Sequence, residues 1–292
     1  MATVMDGKGL ARQIRDRLKV QVELLKAKGA EPRLDTIQVG DDGPSKVYLA
    51  AKHRAAKEIG ILTENHSLSA KSTNGDVISL ISELNSRHDV HAILLQMPIP
   101  NHLSSHEILS TILPEKDVDG LTPENVSRLV YRQESLLPCT PKGIMALLRH
   151  YRIPLRGSHV VIINRSMLVG KPLYHMLMAE DATVTMCHSH TRSLAELTRS
   201  ADILVSAVGK RPEFLLGADM VKDGAVVVDV AMNRVNNKVV GDVDFLPVSQ
   251  KASFITTVPG GVGPMTVAML LENTVTAATR QMSSSKTVLV AG

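Results

Sequence analysis

Apolar residues recur at helical spacing through residues 8–29, at Leu10, Ile14, Leu18, Val22 and Leu25, and the pattern stops at Gly29. Arg33 to Val39 reads as a short strand. Beyond it Pro44 and Ser45 suit a helix start, and Leu49, Ala50, Ala51, Ala55 and Ala56 favour its continuation to about Gly60. A strand near Ile61 to Leu68, a helix from about Asp76 to Ser86 and the apolar run Ala92-Ile93-Leu94-Leu95 follow. Strand and helix in alternation predict a parallel sheet flanked by helices.

The pattern shifts at Leu137-Pro138-Cys139-Thr140-Pro141, where Pro141 opens a helix through Ile144, Leu147 and Leu148. A second, cleaner series comes next, with strands at His159 to Ile163, Thr183 to Cys187, Ile203 to Val208 and Ala225 to Val230. These strands are nearly all apolar, as burial on both faces requires. A last strand, Phe254 to Val258, runs into Pro259-Gly260-Gly261-Val262-Gly263-Pro264-Met265-Thr266 and a helix from Val267 to about Gln281. The tail after Met282 is expected to be loosely held.

A chain of 292 residues suits one large or two medium domains. No apolar run is long enough to span a bilayer, and the N-terminal stretch has no apolar signal core, so neither a membrane nor a secretory role is expected. The last residues match no peroxisomal or retention tag. A net charge of +4 with no Trp, three Phe and four Tyr offers few stacking surfaces for nucleic acid and suits small anionic ligands. Cys139 and Cys187 are the only cysteines, which excludes a disulfide framework and fits a reducing compartment. A cytoplasmic location is expected, with a mitochondrial one as the lesser alternative. His188-Ser189-His190 lacks a suitably spaced cysteine or acidic partner, so no metal is expected.

Candidate chemistry begins with Tyr48 and Lys52, which a helix would set one above the other on one face. A phenol beside an ammonium can handle protons, or it can merely solvate a helix. Gln96 stands at the carboxyl end of an apolar strand, where ligands collect in such sheets. Asp117 and Asp119 would share a face if their segment is extended, although a solvated Asp-Gly turn is the plainer reading. Asn164-Arg165-Ser166 occupies a strand-to-helix turn of the kind that holds a dinucleotide pyrophosphate. Asn164 fills a position where glycine would be expected, and asparagine tolerates positive φ next best. The following strand ends in Cys187-His188-Ser189-His190-Thr191-Arg192 without the acid that would take the ribose hydroxyls of NAD. With Arg165, this favours the extra phosphate of NADP. The glycine-dense turn at 259–263 lets the backbone approach a flat ligand, and free N–H groups near Met265 and Thr266 can receive oxygen.

Together Tyr48-x-x-x-Lys52, QMPIP (96–100), PEKDVDG (114–120), PCTPKG (138–143), RSMLVGKP (165–172), ATVTMCHSHT (182–191), AVGKRP (207–212) and PGGVGPMTVAMLL (259–271) occur in one order. Over nearly its full length the chain resembles the bifunctional methylenetetrahydrofolate dehydrogenase/methenyltetrahydrofolate cyclohydrolase family. The resemblance implies two α/β domains around a cleft, the second a Rossmann-like parallel sheet, and a homodimer. It implies a folate-binding catalytic domain over residues 1–140, completed by the C-terminal helix 267–292, and an NADP-binding domain over 141–266. Tyr48, Lys52, Gln96 and Asp119 match the family's catalytic and folate-site residues, and Pro259, Gly260, Gly261 and Val262 line the same pocket. Asn164, Arg165, Ser166, Ser189, Gly263 and Thr266 match the cofactor contacts. Asn164, Ala231 and Thr257 depart from the family pattern, where glycine, glycine and proline are usual.

The resemblance implies NADP-dependent oxidation of 5,10-methylenetetrahydrofolate and hydrolysis of the product to 10-formyltetrahydrofolate. A dehydrogenase without the hydrolytic step and an inactive folate- or nucleotide-binding protein are the alternatives. A short-chain dehydrogenase would place its glycine-rich turn before the Tyr/Lys pair, the reverse of the order here.

Overall fold

The protein is described by a computed structural model covering residues 1–41 and 43–290, without the side chains of residues 43–45, 47 and 284–290. Contacts divide the chain into two compact units, Gln13–Cys139 with Val267–Gly292, and Met1–Arg12 with Thr140–Thr266.

The chain opens with β1 (Thr3–Met5) and α1 (Gly7–Ala27). The stripe read from the sequence is the buried one: Leu10, Ile14, Leu18, Val22 and Leu25 are each at most 9% exposed. Next come β2 (Arg33–Val39), α2 (Gly43–Glu58), β3 (Leu62–Leu68), α3 (Asn74–Ser86) and β4 (Ala92–Leu95). The three strands form a parallel sheet in the order β3-β2-β4. Thr73 and Asp76 form a reciprocal capping box that starts α3, and Val77, Ile81 and Leu84 pack against Ile37, Ile93 and Leu95. Two short helices, α4 (Ser105–Leu109) and α5 (Pro123–Val130), follow; the apolar period is too brief in either to predict it.

The second unit holds most of α6 (Cys139–His150), then β5 (His159–Ile163), α7 (Gly170–Ala179), β6 (Thr183–Cys187), α8 (Leu194–Arg199) and β7 (Ile203–Ser206). It continues through β8 (Val226–Asp229), the hairpin β9 (Asn233–Val235) and β10 (Lys238–Val240), α9 (Phe245–Lys251) and β11 (Phe254–Thr256). The hairpin turns at Asn236 and Asn237, both at positive φ (48° and 62°). The sheet is parallel in the order β1-β11-β8-β7-β5-β6. After β5 the chain steps to β6 on one side and then crosses to β7 on the other, which makes a topological switch point at the carboxyl end of β5. The last helix, α10, runs Val262–Val290.

Two boundaries differ from the sequence expectation. Residues 1–12, expected with the first domain, group with the second unit because β1 pairs with β11 in register Thr3–Phe254. A strand of three residues leaves no readable alternation. Likewise α10 starts at Val262 rather than Val267, since Pro264 is compatible with a first turn and the glycines beside it do not break one. The expected loose tail falls largely on residues whose side chains lie outside the description. No described helix is long and apolar enough to cross a membrane.

Candidate active site

In the first unit α2 carries Tyr48 and Lys52 one turn apart, over the carboxyl ends of the strands. Lys52 is 6% exposed, its Nζ donates to Gln96 Oε1 at 3.0 Å, and it lies 4.8 Å from the centre of the Tyr48 ring. Gln96 is fixed from both sides. Its backbone N–H donates to Ile37 at the end of β2 (2.9 Å), and its Nε2 donates to the Met97 carbonyl (2.6 Å). Burial lowers the pKa of the Lys52 ammonium, and the charges of Asp119 and Cys139 partly oppose that shift.

Asp117 and Asp119 do not share a face. Asp117 is buried and accepts hydrogen bonds from the Thr122 N–H (2.8 Å) and Asn125 Nδ2 (2.9 Å), so it shapes the turn. Asp119 is half-buried, and its negative charge acts on Lys52. The turn that presents it is clamped. Asn273 Nδ2 donates to the Val118 and Leu137 carbonyls, both at 2.8 Å, and Cys139 Sγ reaches the Val118 carbonyl at 3.2 Å. Gly120 has φ +64°, and a Cβ there would lie 2.5 Å from the Leu136 oxygen. The clamping residues are not legible in the sequence, because Asn273 sits far along the chain on an otherwise apolar helix face.

At the switch point of the second unit, Asn164 does not take positive φ as expected. It serves instead as a side-chain bracket: Oδ1 accepts from the Ser166 N–H (2.7 Å) and the Gly170 N–H (3.1 Å), and Nδ2 donates to the Ala207 carbonyl (2.6 Å). Gly170 must be glycine, since a Cβ would meet the Asn164 carbonyl oxygen at 2.2 Å. Ser166 Oγ accepts from the Val169 N–H at 3.2 Å, and Arg165 is exposed. Beyond β6, Ser189 and His190 are exposed, and the turn is closed by the His188 N–H donating to Thr191 Oγ1 (2.8 Å).

The 259–263 turn sits against the start of α1. Lys8 N–H donates to Gly260 O at 2.9 Å, and a Cβ on Gly7 would lie 1.9 Å from Gly261 O. Gly260 has φ +113°, and the Gly261 N–H donates to Thr257 O at 2.9 Å. Pro259 is exposed, Gly263 half-buried, and Gly261 and Val262 buried. Thr266 Oγ1 lies 3.0 Å from Thr140 Oγ1. Because α10 begins at Val262, the N–H groups without an intrahelical partner belong to Val262 and Gly263, ahead of Met265 and Thr266.

Sequence reasoning missed two buried acids on this side. Asp242 accepts from Ser206 Oγ (2.7 Å), the Val208 N–H (2.7 Å) and the Gly209 N–H (3.0 Å), which fixes the loop after β7. Asp229 accepts from the backbone N–H groups of Ala231, Asp242 and Val243. Elsewhere, Asp35, Glu64 and His66 bring their ligand atoms within 4.8 Å of one another, but the Arg33 guanidinium already bonds both carboxylates.

A doubly wound sheet with an arginine-bearing turn at its switch point in one unit, and a buried ammonium on a carboxamide in the other, define a two-unit α/β dehydrogenase. Residues 5–119 match the tetrahydrofolate dehydrogenase/cyclohydrolase catalytic domain, and residues 138–282 match its NAD(P)-binding domain. The chain belongs to the tetrahydrofolate dehydrogenase/cyclohydrolase family. It is 52% identical over 274 residues to the bifunctional protein FolD of Cenarchaeum symbiosum, covering 94% of this chain and 97% of that one. The crystal structure of the bifunctional FolD enzyme of Campylobacter jejuni superposes with a TM-score of 0.93 at 46% identity, covering 96% of this chain and 99% of the other. The FolD of Trypanosoma brucei, complexed with NADP cofactor and inhibitor, gives a TM-score of 0.92 at 37% identity, covering 96% and 98%.

Proposed function

We propose that this chain oxidises 5,10-methylenetetrahydrofolate with NADP and hydrolyses the resulting methenyl cation to 10-formyltetrahydrofolate. The observation that carries the reading is the buried Lys52–Gln96 pair on the folate-domain side. The domains are assigned accordingly, folate to Gln13–Cys139 with the body of α10, and cofactor to the β5–β8 sheet.

Bound NADP supplies the hydride acceptor. The nitrogens beside the one-carbon bridge stabilise the cation, so hydride transfer asks the protein mainly for position. Arg165 and Ser166 at the α7 turn, with Ser189 past β6, would hold the ribose phosphate of NADP; no carboxylate lies between β6 and α8 to repel it. Asn164 shapes this turn through its side chain. Thr266 and Gly263 at the start of α10 lie with it in the cofactor set, and Pro259, Gly260, Gly261 and Val262 would face the flat ring systems.

In the hydrolytic step, water oxygen bonds to the methenyl carbon while the C=N pair returns to nitrogen, and a water proton passes to neutral Lys52. The carbinolamine then collapses: its C–N5 bond breaks, N5 takes a proton and the hydroxyl becomes the formyl carbonyl, releasing a net proton. Gln96 would orient the Lys52 nitrogen, Tyr48 would pack on the folate, and ionised Asp119 would accept from the pterin ring nitrogen and amino group. Paired steady-state assays of both reactions, with NADP and NAD and with Lys52→Met beside the wild type, test the reading. A Lys52→Met enzyme that still hydrolyses methenyltetrahydrofolate at the wild-type rate would refute it.

We place the protein in the cytoplasm as a homodimer acting on small folates, without nucleic-acid or membrane partners. Cys139 and Cys187, neither of them in a disulfide, support a reducing compartment, and β6, an edge strand paired among the described strands only to β5, supports pairing with a second copy. Light scattering that gives a monomer at micromolar concentration would refute the dimer.

A further inference from the structure

A polar row crosses the carboxyl ends of the strands beneath α2, and the Lys52 assignment leaves part of it unused. Gln38 of β2 pairs with Ser67 of β3, and it follows Ile37, which pairs with Leu95 and whose carbonyl accepts from the Gln96 N–H at 2.9 Å. Side chains alternate along a strand, so Gln38 shares a face with Thr36, whose hydroxyl bonds His53 of α2 at 2.9 Å. Gln96, on that same face, bonds Lys52 of α2.

The neighbours in the row are already committed. Ser67 Oγ is taken by Asn65 Nδ2 at 3.0 Å, and both ends of the Gln96 carboxamide are engaged. Gln38 is different. It is 5% exposed, yet its Nε2 has no hydrogen-bond partner among the described residues. A covered, unpaired amide donor is a standing cost that leucine would remove. Keeping glutamine beside a buried ammonium and a second carboxamide makes sense if the donor is used in the reaction.

We propose that Gln38 is a catalytic residue of the hydrolytic step, its carboxamide N–H holding the water that attacks the methenyl carbon. This rests on the assignment of Lys52 as the proton carrier. A water that accepts from Gln38 keeps a second lone pair for the carbon and one proton aimed at the neutral Lys52 amine. The bonds made and broken are those of the hydrolysis given above; Gln38 exchanges no proton. An enclosed water needs a few fixed polar partners, and Gln38 and Lys52 supply a donor and an acceptor. Hydride transfer uses no water and has no need of this donor.

The test compares Gln38→Leu with Lys52→Met and wild type for hydrolysis of methenyltetrahydrofolate, NADP-dependent oxidation of methylenetetrahydrofolate and thermal stability. The expected result for Gln38→Leu is a fall of about tenfold or more in the ratio of hydrolysis to oxidation, without a lower Tm. If leucine does not fold, Gln38→Met gives the same reading. A wild-type ratio overturns the proposal. An equal fall in both rates also overturns it, by putting Gln38 on the folate rather than on the water. Should Lys52→Met hydrolyse normally, the Lys52 reading itself fails. Where Lys52→Met is inactive in hydrolysis and Gln38→Leu keeps the wild-type ratio, only the Gln38 proposal falls.

Discussion

Lys52 Nζ and Gln96 Oε1 lie 3.0 Å apart although the residues are 44 positions apart in sequence. The choice of a carboxamide matters. A carboxylate at this distance would hold the lysine charged, whereas the neutral amide orients the nitrogen and leaves burial free to lower its pKa. Asp119, whose charge also acts on Lys52, offsets the shift only in part. Lys52 can therefore pass between its two forms nearer neutrality than a surface lysine.

Replacing Lys52 with methionine keeps the stem and removes the proton carrier. Hydrolysis of methenyltetrahydrofolate should fall by about 10²-fold or more in single-turnover assays. The pH profile gives a finer check through Gln96→Glu. The neutral amine is the working form, so the rate rises with pH through the lowered pKa of Lys52. A carboxylate at position 96 raises that pKa, and the rising limb should move to higher pH. A limb that stays in place would detach Lys52 from the profile.

Arg165 is exposed at the α7 turn, and no acid lies between β6 and α8. Arg165→Ala should raise the KM for NADP about 10- to 100-fold, the worth of a charge-assisted phosphate contact, and change the KM for NAD little. Equal losses with both cofactors would remove the phosphate from this site.

What could be read in the sequence follows the physical signals available there. Tyr48 and Lys52 are legible because helical spacing alone stacks them, and Gln96 because an apolar run ends beside it. Asp117 and Asp119 could not be separated, since only the folded turn shows Thr122 and Asn125 converging on the first. Asn164 suggested a backbone role by analogy with glycine, but its effect comes from the side chain. Gln38 reads as an ordinary strand residue until its face of β2 is seen to be the one on which Thr36 bonds α2. The three residues of β1 carry no period at all, so its pairing with β11, which groups residues 1–12 by contacts with the second unit, is not legible in the sequence.

Lys116 is a buried cation with a purely architectural set of contacts. It is 5% exposed, and its Nζ donates to the carbonyls of Leu84, Asn85 and Arg87 at 3.1, 2.8 and 2.7 Å, closing the end of α3. Lys116→Met should cost about 2–4 kcal/mol in urea unfolding, because three carbonyls lose their donor together. A loss below about 0.5 kcal/mol, the range of ordinary surface changes, would mean that other groups satisfy α3.

Asp229 makes the stability of the cofactor unit depend on pH. It is 3% exposed, and burial pushes its pKa up from 3.8 to about 6; the three backbone N–H bonds it accepts oppose this, and the nearby Asp242 charge adds to it. With the native pKa above the unfolded value, the native state holds a proton between about pH 4 and 6 that the unfolded chain has lost. The stabilisation is thus complete below pH 3.8 and disappears as pH rises through about 6, on the order of 3 kcal/mol in all. Asp229→Asn does not titrate and forfeits acceptor capacity toward the three N–H groups, so it should be less stable than wild type throughout. The gap in unfolding free energy should be widest at and below about pH 4 and narrow toward pH 7 as the wild-type carboxyl ionises. Urea titrations of both proteins across that range measure it. A gap that stays constant with pH would show that Asp229 is ionised in the native state throughout.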